Sequence, residues 1–148
     1  MSDDSSLHTF RMASENLNLV RSIFARWDRG DYSSTQWADP EIEFVIPYGP
    51  DAISTTGLAG MEAGWRSFLS TWEEGYRAEA DEYRELDDER VLVTNTYNGR
   101  GKTSGMNVRQ IDARGATVLH IRSGKVTRLV LYWDLEQALA DLDLSPLI

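Results

Sequence analysis

The apolar residues of this chain change period at Gly75, and that change restricts the fold more than any single motif. Ahead of it, Val20, Ile23, Phe24 and Trp27 recur at spacings of three and four, the buried stripe of a helix. Met61, Trp65, Phe68, Leu69 and Trp72 fall at offsets 0, 4, 7, 8 and 11 and make a second stripe. Beyond Gly75 the period is two. Strands are expected at Arg77–Leu86, Arg90–Arg100, Gly105–Arg122 and Lys125–Trp133. Asp87-Asp88-Glu89 and Ser123-Gly124 are the hairpin turns. Helices followed by a run of strands read as α+β.

The first helix is expected from a Ser14 cap to a Gly30 stop. A short second helix, Ser33 to Ala38, turns Trp37 inward and ends at Asp39-Pro40, because a residue before proline avoids the helical region. Glu41 to Tyr48 alternates, with Ile42, Phe44 and Ile46 on one face. Residues 49–60 read as a loop, the third helix as Met61 to Glu74, and Leu135–Leu142 as a short terminal helix. The strand Gly105–Arg122 is too long to be straight, and Ala113-Arg114-Gly115 marks the expected bend. A bent sheet covered by three helices near the N-terminus is a cone. Residues 1–12 are expected to be a flexible tail and 13–148 a single domain.

A net charge of −9 argues against a nucleic-acid or anionic-membrane partner. The absence of cysteine excludes disulfides, thiolate nucleophiles and cysteine-ligated zinc. The N-terminal MSDDSSLHTFRM has no long apolar run, so a cytoplasmic protein is expected, with no signal peptide. Arg100-Gly101-Lys102-Thr103 imitates a phosphate loop, but Thr96 stands where that motif needs glycine. No metal or cofactor is expected. Five tryptophans instead suggest an aromatic pocket.

The segments ARWDRGDY (Ala25–Tyr32), WADPEIEF (Trp37–Phe44), Gly57–Trp72, RGKTSGM (Arg100–Met106) and HIRSGKVTRLVLYWDLEQALADL (His120–Leu142) resemble the nuclear transport factor 2-like superfamily. Within it the chain looks most like the SnoaL-like group of polyketide cyclase and ketosteroid isomerase relatives, over about residues 14–144. The resemblance implies a cystatin-like, ketosteroid isomerase-like roll, and it spans isomerases, cyclases, hydrolases and binding-only domains. It also implies where an isomerase would keep its working groups. The base falls at Ile46, the oxyanion tyrosine near Ile23, the protonated aspartate near Thr117 and a supporting tyrosine at Trp65. None of these four residues can carry the proton transfers of enolisation.

The expected ligand-binding residues are Trp27, Phe44, Tyr48, Trp65, Tyr97, Leu119 and Trp133, around a small hydrophobic, ring-containing molecule. Asn95, Tyr97 and Gln110 alternate toward the same space; they either orient a ligand or satisfy one another. The acid/base candidates are His120, Asp112 and Asp134. Alternation turns His120 to the outer face, and Asp134 reads equally as a helix cap. Val118, Val130 and Tyr132 are apolar on that outer face, so a homodimer through the convex side of the sheet is expected. Three functions follow: an acid/base enzyme on a hydrophobic substrate, a non-catalytic binding domain, and a purely associative domain.

Overall fold

The computed structural model describes residues 4–31, 34–48, 52–70, 77–98 and 114–144. Six strands form one sheet in the order β2-β1-β6-β5-β4-β3. Chain order is α1 (Asp4–Asp28), β1 (Ala38–Ile46), β2 (Ile53–Thr56), α2 (Leu58–Ser70), β3 (Arg77–Glu85), β4 (Arg90–Asn98), β5 (Arg114–Arg122), β6 (Lys125–Tyr132) and α3 (Leu135–Asp141). This is the expected α+β cone. Several of its parts differ from the sequence reading.

The first helix starts at Asp4, inside the segment read as a tail. No helix forms over Ser34–Ala38. Six residues closed by a proline are too few to nucleate one. The segment instead leads into β1: the Val126 N–H donates to the Trp37 carbonyl, and Lys125 Nζ donates to that of Gln36. Pro40 lies in β1, where the pairing with β6 shifts between Ala38 and Glu43. A residue without an N–H is tolerated at such an irregularity. The expected loop at 49–60 contains β2, which pairs antiparallel with β1 from Glu43↔Thr56 to Ile46↔Ile53. Its sequence, Ile-Ser-Thr-Thr, is β-branched but too short to show alternation. The helix that follows begins at Leu58, not Met61.

The strands from β3 to β6 form an antiparallel meander, and β6 docks on β1 in parallel. Alternation reports the face of a residue and not the direction of its strand, so this parallel pair is invisible in the sequence. Register shifts between Ala80 and Glu82 and between His120 and Ile121 mark bulges that bend the sheet. Of the bend expected at Ala113-Arg114-Gly115, only Arg114 and Gly115, at the start of β5, are described; Ala113 lies outside the described residues.

The inner face buries Ile42, Phe44, Ile46, Val91, Val93, Leu119 and Leu129 against Val20, Ile23, Phe24 and Trp27 of α1 and Met61, Trp65 and Phe68 of α2. Gly64 sets how closely α2 approaches β1, since a Cβ there would come within 3.0 Å of the Phe44 ring. Asn16 Nδ2 donates to the Asp88 carbonyl at 2.8 Å and ties α1 to the β3–β4 turn.

The outer face also carries an apolar row, Leu92, Ala116, Val118, Val130 and Tyr132. Ala138 and Leu139 of α3 cover it. Thus Val118 and Val130 are 1% and 5% exposed within the single chain. The sequence reading gave these residues to a subunit interface; an intramolecular helix accounts for them. Two tyrosines fasten that helix. Tyr132 donates to Asp141 Oδ2 at 3.1 Å, and Tyr48 donates to the same carboxylate at 2.9 and 3.0 Å.

Burial, then the hydrogen bond to Asp141 and its negative charge, push the Tyr132 hydroxyl from 10.0 up to about 12. The proton-bound form therefore belongs to the folded state. Below pH 10 folded and unfolded chains are both protonated, and between 10 and 12 only the unfolded chain gains by ionising. Stability should fall across that window, and Tyr132→Phe should flatten the fall. Denaturation midpoints against pH, with phenolate absorbance of the native protein, test this; a native titration with every tyrosine ionising together near pH 10 contradicts it.

Candidate functional site

The helices and the sheet are joined by a chain of aromatic rings. Trp37 meets Trp27 at 6.0 Å between centroids, Trp27 meets Trp65 at 5.1 Å, Trp65 meets Phe68 at 5.8 Å, and Phe68 meets Trp133 at 5.2 Å. Phe44 adds a branch at 5.3 Å from Trp65. The spacing of α1 and α2 sets each ring edge-on to its neighbour, except the last pair, which is tilted by 35°. Edge-to-face pairs contribute about 0.5–1.5 kcal/mol each beyond the area they bury.

The chain is not uniformly closed. Trp27, Phe44, Trp65 and Leu119 are 5%, 0%, 4% and 0% exposed. These four expected ligand residues pack on one another as core. Trp133 is only partly buried and sits where β6 ends. The aromatic column thus runs from a packed interior to the end of the sheet at which β4 stops and β5 starts.

At that end the apolar floor gives way to polar side chains. Asn95 continues the inward phase of Val91 and Val93 on β4, and Thr117 that of Leu119 on β5. They are 2% and 4% exposed. Thr117 Oγ1 donates to Asn95 Oδ1 at 3.3 Å. Asn95 lies between Ala80 of β3 and Gly115 of β5 in register. The described buried polar residues are Asn16, Thr94, Asn95 and Thr117, none of them ionisable. Thr117 thus meets part of the hydrogen-bonding need of Asn95; Gln110 and the Tyr97 side chain lie outside what is described.

The other expected site residues are dispersed. Tyr48 stands apart from the inner rings, bonded to Asp141 beside the outer-face Tyr132. Tyr97 is described by its backbone, which pairs with Ala78. Asp112 and Gln110 lie outside the described residues. His120 is half-buried in an outward row between Arg90 and Arg128. Burial and then the two guanidinium charges hold its imidazole below the ordinary 6.5, against the opposing pull of Asp87 and Glu43. Asp134 caps α3, accepting from the Glu136 N–H at 3.1 Å. Neither His120 nor Asp134 reaches the inner face. No group of metal-ligating side chains occurs among the described residues, and no described helix is long and apolar enough to cross a membrane.

Two grooves lie outside the core. One of about 420 Å³ runs between α1 and β3, past Arg21, Asp28, Glu79 and Tyr83. Another of about 600 Å³ lies between α1 and the hairpin turns, past Glu15, Asp88, Glu89 and Arg122. Both are rimmed by charge and neither is the apolar pocket the sequence suggested. The small residues that flank Asn95 were missed. Their signal was available only through strand register, which places Ala80 and Gly115 beside an inward asparagine.

A family model for the SnoaL-like domain matches residues 20–129. Among solved structures, an NTF2-like protein of unknown function from Burkholderia pseudomallei is 18% identical, with 85% of this chain and 95% of that one covered and a TM-score of 0.69. An NTF2-like protein from Burkholderia thailandensis is 20% identical, with coverages of 87% and 96% and a TM-score of 0.68. TerC, co-crystallised with polyporic acid, is 21% identical, with coverages of 86% and 97% and a TM-score of 0.64. Comparison with curated proteins gives no match.

Because the Trp65 ring touches Trp27, Phe44 and Phe68, Trp65→Ala should cost the full core penalty of about 3–5 kcal/mol. Denaturant titration measures it. A loss well under that range would mean that Trp65 borders open space, not packed core.

Proposed function

The chain belongs to the SnoaL-like domain family, and on that premise we propose that it binds a small, hydrophobic, ring-containing molecule at the β4–β5 end of its cone. The observation that carries this is the graded aromatic column. Its inner members are packed core, its last member, Trp133, is partly exposed just after β6, and the same end of the sheet carries a buried, uncharged polar pair, Asn95 and Thr117. An apolar wall with a few placed polar groups suits a neutral ring compound. The co-crystallisation of TerC with polyporic acid supports the same use of the fold. A cytoplasmic setting and a self-associating, homodimeric protein belong to this proposal; the associating surface would include α3, which covers the convex face.

Binding without acid/base chemistry is the reading the described residues favour. The isomerase positions hold Ile23, Ile46, Thr117 and Trp65, all buried and all unable to exchange a proton at neutral pH. Of the three candidate acids and bases, His120 and Asp134 are outside the cone, and Asp112 lies outside the described residues.

A panel of steroid and polyketide-like compounds, followed by tryptophan fluorescence, tests the proposal. At least one flat ring compound should quench emission saturably, and Trp133→Ala should weaken it several-fold while the fold persists. If no compound binds up to millimolar concentration, the binding reading falls and the associative one replaces it.

A further inference from the structure

The row Ala80–Asn95–Gly115 is unusual for a sheet floor. An amide side chain lies between the two smallest residues on the neighbouring strands, in phase with the core positions Val91 and Val93. We infer that Asn95 is the specificity-determining residue of the cone: its amide donates to a carbonyl oxygen on the ring ligand, so that neutral hydrogen-bond acceptors are selected over bare hydrocarbons and over carboxylates. The inference rests on the binding reading above and names the ligand chemistry of that same site.

Three observations lead there. A primary amide offers two N–H donors and a two-lone-pair oxygen. Thr117 uses one lone pair, at 3.3 Å, the long end of a hydrogen bond, and this is the one side-chain bond of Asn95 among the described residues. Asn95 as a whole is 2% exposed, so little of its surface meets bulk water. The small flanking residues, Ala80 and Gly115, add little bulk on either side of the amide.

Charge selects in the same direction. Asn95 and Thr117, the buried polar pair in phase with the inner face, carry no charge, and the whole chain carries −9. A buried carboxylate would lose its hydration with no cation to replace it, which a carbonyl avoids.

Three probes of similar ring size separate the outcomes: tetralin, 1-tetralone and 1-naphthoate, titrated by calorimetry into the unmodified protein. Tetralone should bind about 3- to 10-fold tighter than tetralin, as one net hydrogen bond supplies, and naphthoate should bind weakest. In NMR spectra the Asn95 side-chain amide should shift with tetralone and not with tetralin, a readout that needs no substitution. Asn95→Leu should erase the advantage of tetralone over tetralin. Equal binding of tetralone and tetralin, an unmoved amide, or an advantage that survives Asn95→Leu overturns the role of Asn95 while the cone remains a binding site. If none of the three binds the unmodified protein, the binding reading itself is overturned, and this inference with it.

Discussion

One sheet with apolar rows on both faces must be covered on both, and most of this molecule follows from that requirement. Parallel sheets commonly meet it with helices on either side. Here a largely antiparallel sheet meets it with unequal covers. The long α1 and α2 close the concave face, while the seven-residue α3 closes part of the convex one. Curvature makes the inequality workable. The concave side must be filled by large rings spanning helix to strand, and Trp27, Trp65 and Phe44 do this. The convex side presents a lower ridge that Ala138 and Leu139 can cap. A seven-residue helix has little stability alone. The Asp134 cap and the two tyrosine hydroxyls on Asp141 hold its two ends where the ridge needs it.

What the sequence disclosed divides along the same line. Periodicity marked the inward stripe of α1, the stripe of α2 and the strands after Gly75, because burial on one face imposes a period that any residue string displays. It failed where no period exists to be read. Four residues of β2 are too few, and Ser34–Ala38 mixes polar residues with one buried tryptophan. The outer apolar row was read correctly as apolar, and within the single chain α3 covers it. Alternation states that Val118 and Val130 need a cover but cannot say whether α3 or another chain supplies it. Of the site, the aromatic residues were legible and their state was not. Trp27 and Trp133 look alike as letters, yet one is packed and the other partly open because the column ends at Trp133.

His120 and Asp134 illustrate why chemistry-bearing residue types mislead outside their geometry. A histidine on a strand next to a hairpin turn suggests a base. Its register between Arg90 and Arg128 puts it on the convex side, where neighbouring positive charge opposes a second one. An aspartate after the last strand suggests a pocket carboxylate. The orphan N–H groups of α3 take it instead. In both cases the local demand of the fold accounts for the residue before any reaction is invoked.

Asn95 and Thr117, buried in phase with the inner face, meet no such local demand. A sheet floor of valine and leucine is stable without an asparagine, and replacing a buried amide by an apolar side chain of like size often costs little. Asn95 and Thr117 pair at 3.3 Å, the long end of a hydrogen bond. A structural role would favour a close, fully satisfied pair, as Tyr48, Tyr132 and Asp141 make on the other face with three contacts of 2.9–3.1 Å. The outer face is not uniformly satisfied either: Thr94, in phase with Leu92, is buried there with no hydrogen-bond partner among the described residues. On the proposed binding reading, Asn95 has amide N–H groups to offer a ligand, whereas the two tyrosine hydroxyls are committed to Asp141.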